Sequence, residues 1–340
     1  MNLMSIPARR IRLSAPIALW LCAAAYAAGA HAEIDWYSIT LDNDSVVGND
    51  NGYTNGIYLS WFDTPDNHAA KPGYLARWIS WSLPDAGPSV VDASARTLGQ
   101  VMITPNDITL ENPPAPPDDL PYAGLLFYRD TFIEVYARHA DSIAATIGIV
   151  GKYSFAEDAQ KLVHDVIESD EPKGWDTQLD DEIVFQLSRG RVWKSWTSDS
   201  GRMDVLLGVD GSLGTISSSI GASLMWRYGS QLETTFATTL LGNGRAINPV
   251  ATRSGWYWFA GINGQYVANQ IFFDGNTYDD GESVDYEPYA VGIIAGLAHS
   301  WNKLSFTLAV SDLNVLEESD NDSAEEYSEF GTITLAWKLD

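Results

Sequence analysis

The 340 residues carry 45 acidic against 20 basic side chains, a formal charge of −25, and one cysteine, Cys22. This balance argues against a nucleic-acid partner, and a lone cysteine excludes a disulfide framework or a thiolate cluster. The surplus of acid leaves two readings open, solvated loops or binding of divalent cations.

The N-terminus reads as an address. Arg9, Arg10 and Arg12 precede an uncharged stretch from Ala15 that closes on Ala30-His31-Ala32, an A-x-A cleavage pattern. Residues 1–32 are therefore expected to be a signal peptide and residues 33–340 one outer-membrane barrel domain, with maturation at Glu33. Leu19-Trp20-Leu21 ahead of Cys22 does not suit a lipoprotein signal. Cleavage removes three of the 20 basic residues and no acidic one, leaving 17 against 45 and a formal charge of −28 with no cysteine. After Ala32 no uncharged run is long enough for a spanning helix, so a membrane protein here has to be a barrel.

Segments of alternating character recur along the mature chain, each about ten residues long and bounded by Gly, Asn, Asp or Pro. Ile57, Leu59 and Trp61 alternate with Tyr58, Ser60 and Phe62, for example. Twelve strands are predicted, near 36–44, 53–62, 96–104, 124–136, 142–150, 181–193, 202–212, 215–227, 256–268, 288–300, 303–313 and 329–339. An even number suits a bacterial barrel, and 13 Trp with 16 Tyr suit aromatic girdles at its two interfaces, although a soluble β-sandwich can also be aromatic-rich. The expected fold is all-β, a twelve-stranded antiparallel transmembrane β-barrel with a short helix in an extracellular loop. The last four residues, Trp337-Lys338-Leu339-Asp340, lack the terminal aromatic that many such barrels carry.

With the N-terminus in the periplasm, the links 45–52, 105–123, 151–180, 269–287 and 314–328 face outward. The acidic runs Asp274 to Glu287 and Glu317 to Glu326 lack the glycine spacing of an EF-hand and read as solvated surface. His139 to Asp141 and Asn302-Lys303 read as short inner turns. Residues 63–95 are too long for that pattern and hold either a short interfacial helix or an uncounted strand pair.

Three outward segments carry candidate chemistry: Asp42-Asn43-Asp44 with Tyr53-Thr54-Asn55-Gly56, Met102 to Gly124, and Gly148 to Gln178. In the third, Ser154 and Glu157 have the S-x-x-E spacing of a capping box, and Phe155, Ala159, Leu162, Val163, Val166 and Ile167 recur at helical spacing. Gln160 and His164 stand four apart and share a face beside that stripe. Read in order, D-N-D, Y-T-N-G, T-P-x-D-I, P-Y-A-G, Q-K-x-V-H and P-K-G-W-D-x-Q span Asp42 to Gln178. With them the chain resembles the outer-membrane lipid A 3′-O-deacylase family.

The resemblance implies a barrel of twelve strands whose site lies between the wall and a helix near the outer rim. It also implies calcium as cofactor, lipid A of lipopolysaccharide in the outer membrane as substrate, and hydrolysis of the 3′ acyloxyacyl ester. Matched by motif, His164 takes the place of the essential histidine, Asn43 and Asp44 the N-D pair, and Thr54 the Y-T threonine. The chemistry is coherent on its own terms. Ester hydrolysis needs a base near neutral pH, which imidazole supplies, and positive charge where an oxyanion develops. Calcium takes oxygen ligands, and Asp44 and the Asn43 side-chain carbonyl are candidates. Thr54 has the hydroxyl to orient a ligand or the substrate, and Gly56 would let backbone come close. Each has an ordinary counterpart, because a helical His usually packs or faces solvent and an Asx-rich run is usually a loop. Asp119 is a weaker candidate, and Gln160, Gly174, Trp175 and Gln178 are expected to hold the helix and its return loop.

Two departures stand out. Leu120 occupies a position where the family commonly has Arg, and Lys152 stands where it has Pro. A non-enzymatic barrel, a pore or a decayed member, is therefore the alternative, with a soluble periplasmic β protein behind it. No G-x-S-x-G and no evident serine partner for the histidine favour a covalent route. A closed barrel has no unpaired edge, so a monomer is expected.

Overall fold

A computed structural model describes residues 36–43, 52–63, 70–84, 86–114, 119–167, 169–234, 254–278, 283–284, 286–312 and 329–338. Side chains of 52–54 and 166–167 are excepted. The expected signal peptide and the run Glu317 to Glu326 lie outside these residues.

Twelve strands form, at β1 (Trp36–Asn43), β2 (Gly52–Asp63), β3 (Val91–Thr104), β4 (Ala123–Val135), β5 (His139–Val150) and β6 (Glu182–Thr197). They continue with β7 (Met203–Gly214), β8 (Ser217–Gly229), β9 (Gly255–Gln270), β10 (Tyr289–Trp301), β11 (Leu304–Asp312) and β12 (Glu329–Lys338). Each pairs antiparallel with its chain neighbours, and β1 pairs with β12, with Asp42 opposite Thr332 and Trp36 opposite Lys338, to close the barrel. Every predicted strand is present. Closure satisfies the backbone groups that hydrocarbon cannot.

The register separates two faces. Ile39, Leu41, Ile183, Leu213, Ile220 and Ile333 point outward and are exposed, at 70% for Ile183. Their neighbours turn hydroxyls into the lumen, where directly opposed residues bond across strands: Thr40 with Thr334 at 2.9 Å, Ser60 with Thr97 at 2.9 Å, Ser212 with Ser219 at 3.0 Å. A protein in lipid needs this inversion, apolar outside and polar within. The rim with both barrel termini holds the short links 136–138, 198–202 and 302–303, which marks it as the inner rim. Asn302, at φ 50°, takes the left-handed turn position that Asn tolerates.

The lumen is closed near both rims by apolar side chains. At the outer rim Val101, Ile103, Leu125, Val184 and Phe330 meet Leu120, Leu179, Ile271, Phe272 and Val284 from the loops. At the inner rim Val192, Leu206, Met225, Tyr257 and Phe259 meet Leu232. The link 269–287 is thus more than solvated acid: the short helix Ile271–Asp274 buries Ile271 and Phe272 in the outer cluster.

Two boundaries differ from expectation. The turn read at His139 to Asp141 lies at 136–138, because Asp141 continues β5 and takes hydrogen bonds from Arg189 and Arg191 of β6. Residues 63–95 hold a 3-10 helix, Ala76–Ser82, with no extra strand among the described residues before β3 begins at Val91. The outward carboxylate of Asp130 on β4 accepts the N–H groups of Leu75 and Ala76 at 2.9 and 3.2 Å, and Ala76 packs on Phe132 and Ile143. This segment covers an otherwise polar stretch of outer wall.

Arg227 and Asp204, both fully buried at the inner lumen, form a two-pronged pair at 2.9 and 2.7 Å, and Arg227 also donates to the Leu232 carbonyl. Replacing Arg227 by Met strands a buried carboxylate and is expected to cost about 3–5 kcal/mol. Urea unfolding in vesicles should show that loss, and adding Asp204→Asn should restore most of it. An unchanged midpoint in the single variant would remove the pair from the account.

Candidate functional site

The helix read from sequence forms as α1 (Ala156–Ile167), in the link between β5 and β6. Its start is not the expected capping box. Residues Lys152–Ser154 make one 3-10 turn, and Phe155 sits in the left-handed region at φ 57°. The Ser154 hydroxyl accepts from the Ala156 N–H at 3.4 Å, while Glu157 bonds Lys161 one turn on at 2.7 Å. At the other end the Ser169 N–H closes on the His164 carbonyl at 3.0 Å.

α1 lies on the outward side of the wall, against β3 and β4. The register places Gln100, Met102, Gly124 and Leu126 on that side. Gly124, from the P-Y-A-G segment, makes the approach possible: a Cβ there would stand 2.2 Å from the Ser154 hydroxyl and 2.3 Å from Ala156 Cβ. Gln100 donates to the Ser154 carbonyl at 2.6 Å. Met102, Tyr122, Ala156 and Trp175 form the seam.

The buried edge of α1 is Ala156, Gln160 and His164, spaced by four, while Leu162 is exposed. Of the apolar stripe expected from sequence, Ala159 packs on this seam and Leu162 does not, so the docked edge is centred on the neighbouring polar residues. Gln160, 2% exposed, accepts from the indole N–H of Trp175 at 2.7 Å, and its amide nitrogen is buried without a partner among the described residues. The Trp175 ring lies 4.8 Å from that of Tyr122, and Gly174 leaves room for Tyr122, whose Cε2 a Cβ would meet at 2.5 Å. Gln178 donates to the Trp175 carbonyl at 2.8 Å. The expected supporting residues therefore join α1, its return loop and the link before β4.

His164 is 8% exposed, and its Nδ1 lies 2.5 Å from the Asp170 carbonyl. A carbonyl only accepts, so Nδ1 carries the proton and a neutral ring keeps its lone pair on Nε2. That is the form a general base requires.

Asn43 ends β1, half-buried and outward by register, opposite Gly331 of β12. Thr54 lies in the backbone of β2, where the register with β3 slips between Gly52 and Asn55; its side chain is outside the described residues, as is all of Asp44. Asp42 points inward, fully buried, and accepts from the Thr332 hydroxyl at 2.7 Å. Gly56 faces it across the pair, so its role is luminal rather than beside the outward site. Asp119 accepts the N–H groups of Asn106 and Leu120 and pins the link before β4. Leu120 is fully buried in the outer luminal cluster.

The sequence reading passed over Asn55. It points outward beside Met102, and its side-chain oxygen is buried with no partner among the described residues. A polar residue at an outward strand position was the available signal. With Asn43 at the same end of β1, the outer rim beside α1 offers amide oxygens of the hardness calcium prefers, although no group of three or more His, Cys, Asp or Glu clusters for a metal among the described residues.

A sequence profile of one family, described as outer membrane protein LpxR, matches residues 15–339. The chain belongs to the LpxR family. It is an outer-membrane barrel, and the solved structure of LpxR from Salmonella typhimurium superposes with a TM-score of 0.70 at 14% identity, covering 89% of this chain and all of the other. That likeness supports the fold alone. The KdgM porin (TM-score 0.38, 5% identity, 90% and 99% covered) and the translocator domain of autotransporter NalP from Neisseria meningitidis (0.38, 9%, 95% of each) also align, too loosely to carry an argument. No curated protein matches the sequence.

Two predictions follow from the seam. Trp175→Phe leaves the Gln160 oxygen without its donor and is expected to weaken docking of α1 by about 1–3 kcal/mol, seen as faster amide exchange across 156–167; unchanged exchange would contradict the seam. Burial pushes the Tyr122 phenol up to about 12 from its ordinary 10. The open form therefore loses its proton first, and docking should weaken as pH rises from 10 toward 12. Amide exchange over that range should show the loss in wild type and not in Tyr122→Phe.

Proposed function

We propose that this chain is a calcium-dependent lipid A 3′-O-deacylase, hydrolysing the 3′-linked acyloxyacyl ester in the outer leaflet of the outer membrane. LpxR membership supports a lipid A-modifying protein. The observation that carries the finer reading is His164, buried on the lipid side of the wall with its Nδ1 fixed by the Asp170 carbonyl.

Nε2 of His164 takes a proton from water as the water oxygen bonds to the ester carbonyl carbon. The bond to the sugar oxygen then breaks, and the imidazolium returns the proton to that oxygen. A fatty acid and a free 3′ hydroxyl leave, with no covalent acyl-enzyme. Asn43 and Asp44 are the residues we assign to hold calcium, with the unpartnered oxygen of Asn55 as a further ligand. When bound, the ion supplies positive charge at the carbonyl oxygen. Thr54, on the bulged stretch of β2, is assigned to orienting substrate or ligand. Exclusion of water beyond the reacting one falls to the seam of Met102, Tyr122 and Trp175.

The alternative of a passive pore fares worse, since apolar clusters close the lumen near both rims. Leu120 does not by itself signal a decayed site. It lies inside the outer cluster with Val101, Ile103 and Phe272, an apolar setting in which an arginine would be buried. We further propose that residues 1–32 are removed on export and that the closed barrel acts as a monomer.

Mass spectrometry of lipid A treated with purified protein tests the reading. Wild type in calcium should remove the 3′ acyloxyacyl group. Chelator should abolish the loss, and His164→Ala should slow it by about 100-fold or more while the barrel stays folded. Unchanged lipid A with folded wild type in calcium would sink it.

A further inference from the structure

The outward face of β5 and β6 carries three charged side chains where lipid-facing residues are ordinarily apolar. Asp141 is fully buried beneath Arg189 and Arg191, each about a third exposed. Arg191 stands opposite Asp141 in the register, donating Nε and Nη2 at 2.9 Å each, and Arg189 reaches the same carboxylate from two residues deeper. The Arg189 guanidinium therefore leans toward the inner rim, to the level of Arg191. Arg189 also donates to the Ser142 and Gly190 carbonyls. Glu134 of β4 stands opposite Asp141 in the register, so the cluster holds two carboxylates and two arginines, with His139 also 3.6 Å from Asp141. Several guanidinium N–H groups remain beyond those bonds, and hydrocarbon offers them no acceptor.

The arginines stand at one end of a groove of about 1150 Å³ on this outer wall. Its floor is shallow because Gly211 and Gly264 lack side chains. A Cβ at Gly264 would meet nothing within 4 Å, and one at Gly211 only a backbone oxygen at 3.5 Å. Leu213, Ile220 and Tyr266 flank the floor, and Trp81 of the inner 3-10 helix, 81% exposed, overlooks the arginine end beside Trp193. A tryptophan-lined end with two part-exposed guanidinium groups, joined to an apolar trough, matches one ligand chemistry, a phosphate-bearing head with hydrocarbon chains.

We infer that this groove is a binding site for an anionic phospholipid of the inner leaflet, its phosphate on Arg189 and Arg191 and an acyl chain along Gly211 and Gly264. Its arginine end lies toward the opposite rim from α1, on strands other than the β3 and β4 that α1 packs against, and the site does not rest on the proposed hydrolysis. Asp141 orients the two arginines, as bidentate pairing does, and their remaining N–H groups face the lipid phosphate.

Native mass spectrometry of the whole barrel in detergent, titrated with phosphatidylglycerol or with phosphatidylcholine of the same chains, tests it. Wild type should hold one phosphatidylglycerol about tenfold more tightly than phosphatidylcholine. The variant Glu134→Gln, Asp141→Asn, Arg189→Gln, Arg191→Gln removes both carboxylates and both arginines together and should equalise the two lipids. Gly264→Leu adds a side chain into open space without touching the charges and should weaken both. Excess inorganic phosphate should leave the lipid in place. No lipid preference in wild type, a preference that survives in the folded quadruple variant, binding unaffected by Gly264→Leu, or displacement by phosphate would each overturn the proposal.

Discussion

A chain in a bilayer core has no water to satisfy its peptide groups, and the pairing of β1 with β12 is what removes the last open edge here. Closure forces two-residue periodicity on every strand, so each side chain belongs to lipid or to lumen. The hydroxyl pairs inside and the aliphatic band outside are consequences of that one constraint. So is the site, because wherever the outer wall must carry polar groups, something has to cover them. Two covers exist. Residues 76–82 lie over Asp130 toward the inner rim, and α1 lies over Gln100 at the outer rim.

A helix docked on the outside of a barrel wall differs in kind from a plug within it. It presents its buried edge, Gln160 and His164, on the lipid side of the wall rather than in a channel. The lumen, by contrast, is sealed near both rims and stiffened by buried pairs such as Asp204 with Arg227. On the proposed reading, stability and function fall to opposite faces of the same strands. Residues such as Asp42 and Gly56 serve the inner face although they sit inside motifs that serve the outer one.

Strand number and order were legible because alternation survives wherever lipid meets the wall. Where a cover lies on the wall, alternation weakens: β3 begins five residues before its expected start because outward Asp92 and Ser94 do not read as a lipid-facing strand. The same cause hid the docking face of α1. Its partner surface is polar and carries an indole donor, so Gln160 and His164 are buried while Leu162 is not. His164 was legible through its motif, yet the group that fixes its tautomer, a backbone carbonyl at Asp170, has no sequence signature. Asn55 was missed for a related reason: inside Y-T-N-G it reads as loop chemistry, and only the register turns it outward beside Met102.

The central claim is that the acyl chain lies on the lipid side of the wall under α1. The most direct test is photo-crosslinking with a lipid A bearing a diazirine on the 3′-linked acyl chain, using the His164→Ala barrel to hold substrate, followed by mass mapping of the adducts. The account predicts adducts on outward residues of β3 to β5, such as Leu98, Leu126 and Ile147. Adducts on lumen-facing neighbours such as Thr97 and Phe127 would contradict it.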